Sequence, residues 1–125
     1  MTDIRCYIEP KDSSPASERD RVATFHQILR LTYPHIKAVA VPNAAKRGWG
    51  AQALVKAEGL AKGFPDMLVL GDGNLAFLEF KSGRTMPRRE QVGWLNWLHD
   101  GGYACAVVRS PKGAIAWLKQ QGFRV

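Results

Sequence analysis

Two apolar runs, Met67–Leu70 and Leu75–Leu78, are joined by Gly71-Asp72-Gly73-Asn74, and this stretch constrains the fold most. Turn-forming residues between apolar runs signal a β-hairpin. Leu75-Ala76-Phe77-Leu78 is apolar on both faces, which predicts a strand in the centre of a sheet. The same strand then continues into Glu79-Phe80-Lys81. Alternation along a strand puts Glu79 and Lys81 on one face and Phe80 on the other. Burying such charges without partners costs several kcal/mol. Asp66 opens the first strand, so a tight turn at Asp72-Gly73 brings Asp66 and Glu79 to the same end of the pair. Two carboxylates and one ammonium therefore converge at one edge of an apolar sheet.

The remaining pattern surrounds this hairpin with helices. Ser17, followed by Glu18 and Asp20, reads as a helix start, and Val22, Phe25, Ile28, Leu29 and Thr32 recur at helical spacing. That helix is expected to run to about Leu31, ahead of Tyr33-Pro34. Residues Ile36 to Val41 read as a strand of the buried kind, Asn43 to Gly50 as a basic loop, and Ala51 to Glu58 as a short helix closed by Gly59. Arg88 to His99 carries Val92, Leu95 and Leu98 on one helical stripe and stops at Gly101-Gly102. Tyr103 to Val108 is a further buried strand, and Pro111 to Gln121 a closing helix. Residues 1–16 read as an irregular leader and 17–125 as one domain, within the size that buries a core unaided. A helix between two strands implies a parallel crossover, so the expected class is α/β with a mixed central sheet flanked by helices.

Charge narrows the partners. Eighteen Lys and Arg against eleven Asp and Glu give a net charge of +7, which favours polyanions, nucleic acid first. Lys46, Arg47, Lys56 and Lys62 precede the charged cluster, and Arg84, Arg88 and Arg89 follow it, placed to grip phosphates. Trp49, in a Gly-flanked loop, suits stacking on an unpaired base, whereas Trp94, Trp97 and Trp117 lie in helices and suit core or interface. Cys6 and Cys105 have no metal-ligand or redox spacing and read as free thiols of a reducing compartment; His26, His35 and His99 form no ligand set. No apolar run reaches the about 18 residues of a membrane span, and none resembles a signal peptide, so a soluble cytoplasmic protein without membrane partners is expected. No phosphate-binding glycine loop or Ser-His-Asp pattern is present, so no nucleotide cofactor is expected.

Carboxylates a few Å apart are tolerated when one is protonated or a cation lies between them. Oxygen ligands of this kind suit Mg²⁺ or Mn²⁺, and such an ion acidifies water and neutralises a phosphate. Lys81 is placed to orient or deprotonate that water. These are the parts of phosphodiester hydrolysis. The same Glu-x-Lys spacing also fits a solvated ion pair at an exposed edge, which would make the chain a structural subunit.

Gly63-Phe64-Pro65-Asp66 followed by Glu79-Phe80-Lys81 resembles the PD-(D/E)xK nuclease signature, and the flanks resemble its VRR-NUC branch. The likeness includes Pro42-Asn43 in the basic loop, Gln91 on the following helix and Gly102-Tyr103 leading into the next strand, over about residues 17–122. It implies a restriction-endonuclease-like core, with Asp66, Glu79 and the Phe80 carbonyl as metal ligands and Lys81 as the catalytic lysine. Gln91 would face the site and orient Lys81 or the scissile phosphate. Glu18 would stand for a glutamate that family members use on the first helix. Asn43 joins Lys46, Arg47, Lys62, Arg84, Arg88 and Arg89 as expected DNA contacts. Small stand-alone members, of phage and bacterial type, are similar to Holliday-junction resolvases and tend to be homodimers. A structure-selective endonuclease for junction or flap DNA, in a bacterial or phage-infected cell, is what the resemblance implies. The other reading is a nucleic-acid-binding module that keeps the fold without turnover.

Overall fold

The computed structural model describes residues 3–42, 59 and 61–125. The expected basic loop and short helix, including Asn43, Lys46, Arg47, Trp49 and Lys56, lie outside the described residues. Ser17 caps α1 (Glu18–Thr32), its hydroxyl accepting from the Asp20 amide at 3.0 Å. After β2 (Lys37–Ala40) comes the hairpin of β3 (Met67–Gly71) and β4 (Asn74–Phe80). Both central residues of its turn have positive φ, Asp72 at 55° and Gly73 at 77°, as a type I′ turn requires. The chain then passes through α2 (Arg89–Asp100) to β5 (Ala104–Val108) and ends on α3 (Pro111–Gln120).

Residues 3–16 are more ordered than the sequence suggested. Tyr7–Ile8 form β1, which pairs in parallel with β5, and the Glu9 amide continues the ladder onto the Val107 carbonyl at 2.9 Å. Ile4, Cys6 and Ile8 alternate along this segment and pack on the sheet face beneath α2. The sheet is five-stranded in the order β1-β5-β4-β3-β2, parallel at β1–β5 and β5–β4 and antiparallel at β4–β3 and β3–β2. This is the mixed α/β sheet expected, with the apolar strand β4 at its centre.

Alternate residues of the central strands face different helices. Ala76, Leu78 and Phe80 join Phe25 and Leu29 of α1 and Trp117 and Leu118 of α3 in one cluster. Phe77, Cys105 and Val107 meet Leu95 and Leu98 of α2 in the other. Expected as buried, β2 is instead mostly exposed: it closes the sheet edge, and only Ile36, just ahead of it, is inserted in the core. Cys6 and Cys105 are free and buried, and the Cys105 thiol hydrogen-bonds the Leu95 carbonyl at 3.4 Å. Among the described residues no helix is long and apolar enough to cross a membrane.

Candidate active site

The hairpin register sets the first distance in the site. Met67 pairs with Leu78, so one step further Asp66 comes level with Glu79, and Pro65 with Phe80. Proline has no N–H to give, so the β3–β4 ladder stops there. Asp66 and Glu79 share the face beneath α2, where Gln91 is buried. The Gln91 side chain is oriented by its own helix. Its Oε1 accepts from the Arg88 amide at 2.7 Å, which turns the Nε2 outward to donate to Glu79 Oε2 at 3.0 Å. Lys81 Nζ stands 3.8 Å from that same oxygen.

One oxygen of each carboxylate has no hydrogen-bond partner among the described residues. Asp66 Oδ1 and Glu79 Oε1 are buried side-chain atoms without a hydrogen bond. A buried oxygen left in this state normally costs about 1–3 kcal/mol, and more when charged. The strain shows in both acids. Burial pushes Asp66 up to about 6, helped by the negative charge of Glu18. Burial pushes Glu79 up to about 8, helped by Asp66 opposite, while Lys81 pulls it back.

Oxygen donors, mutual repulsion and two orphaned atoms together fit a small divalent cation. Glu18, at the first position of α1, is near enough to repel both acids. It adds charge rather than completing a cluster, since no three His, Cys, Asp or Glu side chains among the described residues form a metal-binding group. Phe80, whose carbonyl was an expected ligand, lies between Glu79 and Lys81 and sends its side chain into the opposite core. Gln91, expected to orient Lys81 or a phosphate, is bonded to Glu79 instead.

Gly63 explains how the Asp66 strand reaches α2 so closely. Its φ is +84°, and a Cβ there would lie 2.7 Å from the Glu90 carbonyl carbon and 2.9 Å from the Gln91 nitrogen. Those are backbone atoms at the helix start and cannot step aside. Gly63→Ala is expected to destabilise the protein by about 2–4 kcal/mol, read as a lower urea midpoint at unchanged slope.

The expected DNA-contact residues that are described divide into two sets. Arg84, Arg88 and Arg89 are exposed in the loop after Lys81 and at the start of α2. Lys62 is also exposed but pairs with Glu90 at 3.2 Å.

Four charged residues that the sequence reading passed over hold this loop. Arg109 is fully buried, donating to the Ser82 and Thr85 carbonyls at 2.7 and 2.8 Å and to the Glu9 carbonyl at 2.9 Å. The Glu9 carboxylate receives the amides of Arg109 and Ser110. Asp12 takes the buried Arg21 guanidinium at 2.8 Å, and its amide donates to the Gly83 carbonyl at 2.9 Å. The Lys81 amide is anchored on the Val108 carbonyl at 3.0 Å. The leader thus straps the chain leaving the Lys81 strand to α1 and β5.

No family model matches the chain, and no curated protein sequence does. A solved structure described as a VRR_NUC domain protein superposes on it with a TM-score of 0.66 at 17% sequence identity. The match covers 86% of this chain and 88% of that one. The chain therefore shares the fold of that VRR_NUC domain protein.

Proposed function

We propose that this protein is a Mg²⁺- or Mn²⁺-dependent DNA endonuclease that hydrolyses phosphodiester bonds at branched or flap-containing DNA. The observation that carries this reading is the pair of buried oxygens without a hydrogen-bond partner, Asp66 Oδ1 and Glu79 Oε1, on residues level with each other across the hairpin. Asp66, Glu79 and the Phe80 carbonyl would hold the ion, with Glu18 adding negative charge from α1. A cation bound there supplies charge neutralisation for the scissile phosphate and lowers the pKa of water.

The chain's own groups do the rest. Gln91 holds Glu79 by one oxygen and leaves the other free to ligate. The Lys81 ammonium orients the attacking water and offsets the charge that grows on the phosphate oxygens. Arg84, Arg88 and Arg89 grip flanking phosphates, which fixes register without reading bases, so shape decides the substrate. Two copies in a homodimer would bring two such sites to the two strands of a junction.

The test is a substrate panel. Four-way junction, flap and plain duplex are incubated with the protein in Mn²⁺ and in EDTA. Metal-dependent cutting that favours a branched substrate is expected; DNA that is bound but never cut would leave a binding module. Arg88→Glu with Arg89→Glu is expected to weaken binding by at least about tenfold and to reduce the salt slope by about two. An unchanged slope would move the DNA path elsewhere on the protein.

A further inference from the structure

Arg109 is only 1% exposed, so it touches no DNA itself, and a buried guanidinium is costly unless its N–H groups are met. Two segments meet them. Nε donates to the Glu9 carbonyl of the leader at 2.9 Å. Nη1 donates to the Ser82 and Thr85 carbonyls at 2.7 and 2.8 Å, and Nη2 reaches the Met86 sulfur at 3.4 Å. One nitrogen therefore holds both residues that flank Gly83-Arg84, where the chain turns. The Ser82 and Thr85 hydroxyls close the same turn, 2.7 Å apart.

The leader fixes the turn from its other side. The Asp12 amide donates to the Gly83 carbonyl at 2.9 Å. Gly83 is buried there, and a Cβ on it would lie 2.5 Å from the Asp12 carbonyl oxygen and 2.6 Å from Asp12 Oδ1. Asp12 is held in turn by the buried Arg21 guanidinium, through bonds of 2.8 and 3.0 Å. With Ser82, Gly83 and Thr85 all tied down, Arg84 is the one charged side chain of the turn, and it is exposed. It follows Lys81 by three residues, at most about 11 Å of chain. The leader lies ahead of the stretch in which the sequence resembles the VRR-NUC branch, so that resemblance implies no such brace.

We propose that Arg109 is a positioning residue that aims Arg84 at a backbone phosphate beside the carboxylates. A contact made from a loop already ordered avoids the cost of ordering it on binding. Arg109 supplies that order from β5, and the leader supplies it from Asp12. The proposal rests on the reading of the protein as a DNA nuclease, and it is read through binding without metal so that the two can fail separately.

The experiment measures the affinity of the full chain for a flap duplex in EDTA, by fluorescence anisotropy over a range of salt concentrations. Arg84→Ala is expected to weaken binding by at least about threefold and to reduce the salt slope by about one, as loss of one phosphate contact does. Arg109→Met, although buried, is expected to do the same. Because it acts through Arg84, the double variant should bind within about twofold of Arg84→Ala alone. Gly83→Ala pushes the turn off Asp12 without removing a buried charge, and it should reproduce the lowered slope if Arg109→Met does not fold. Circular dichroism checks the fold of each. Folded Arg109→Met or Gly83→Ala with the wild-type slope would overturn the proposal. So would losses that multiply in the double variant, or Arg84→Ala at wild-type affinity. Wild type that shows this pattern of binding but never cuts in Mn²⁺ would sink the nuclease reading alone.

Discussion

Lys81→Met is expected to lower the single-turnover cleavage rate by about 10³-fold while DNA affinity stays within about threefold of wild type. Methionine keeps the length and the apolar stem, so the strand end and its Val108 hydrogen bond survive. What is lost is one buried ammonium, 3.8 Å from Glu79, in a site that holds two carboxylates. Removing it takes away the group that pulls both acids toward ionisation. It also removes the donor that offsets phosphate charge. The cations assigned to binding are other residues, so filter binding is the control. Cleavage that survives intact would remove Lys81 from the mechanism.

The second large effect concerns stability, and it runs against activity. Glu79→Gln is expected to stabilise the metal-free protein at pH 8 by about 1–3 kcal/mol while abolishing cleavage. A carboxyl whose pKa is higher in the folded than in the unfolded chain binds its proton more tightly when folded. Asp66, pushed up to about 6, and Glu79, pushed up to about 8, are both of this kind. Below the ordinary carboxylate range they cost nothing. As pH rises from about 4 to about 8 the folded state must give up protons it prefers to keep, and stability falls.

In EDTA the melting temperature of wild type is therefore expected to climb from pH 8 toward pH 5. Glu79→Gln should flatten the upper part of that slope. Saturating Mn²⁺ should flatten it too, because a bound cation favours the ionised pair. Asp12, Asp72 and Asp100, held low by Arg21, Arg124 and Arg5, act oppositely and lose their contribution only at lower pH. A wild-type melting temperature that rises steadily from pH 5 to pH 8 without metal would contradict this account of the site.

The hairpin was the most legible part of the chain, for physical reasons. Its turn residues match the positive φ values found at Asp72 and Gly73, and period-two alternation fixes which side chains share a face. From those two facts alone Asp66 comes level with Glu79, and the β3–β4 register agrees. The start of α1 at Ser17 was equally local, because a cap is written in a few adjacent residues.

Elements that depend on distant partners were harder to read. A two-residue strand such as Tyr7–Ile8 has little pattern of its own and takes its order from β5, about a hundred residues away. Arg21 and Arg109 sit in runs that look like a helix face and a strand end. Their burial follows from carbonyls at Ser14, Ser82 and Thr85 that only the folded chain brings to them. Gln91 illustrates both sides: its helix and facing side were readable, but its bond to Glu79 depends on how closely Gly63 lets the Asp66 strand approach. For β2, β-branched composition suggested burial, whereas its position at the sheet edge decided exposure.

The most direct test of the central claim is Mn²⁺-dependent cleavage of a branched DNA by wild type and Asp66→Asn, purified in parallel and assayed under single turnover. Asparagine keeps the shape of Asp66 and removes its charge, so the fold and the DNA-binding surface are held constant. Cutting by wild type in Mn²⁺, none in EDTA, and a rate at least about 10³-fold lower for Asp66→Asn is the predicted result. Equal cutting by both proteins, or cutting that persists in EDTA, would contradict a nuclease built on the Asp66–Glu79 pair.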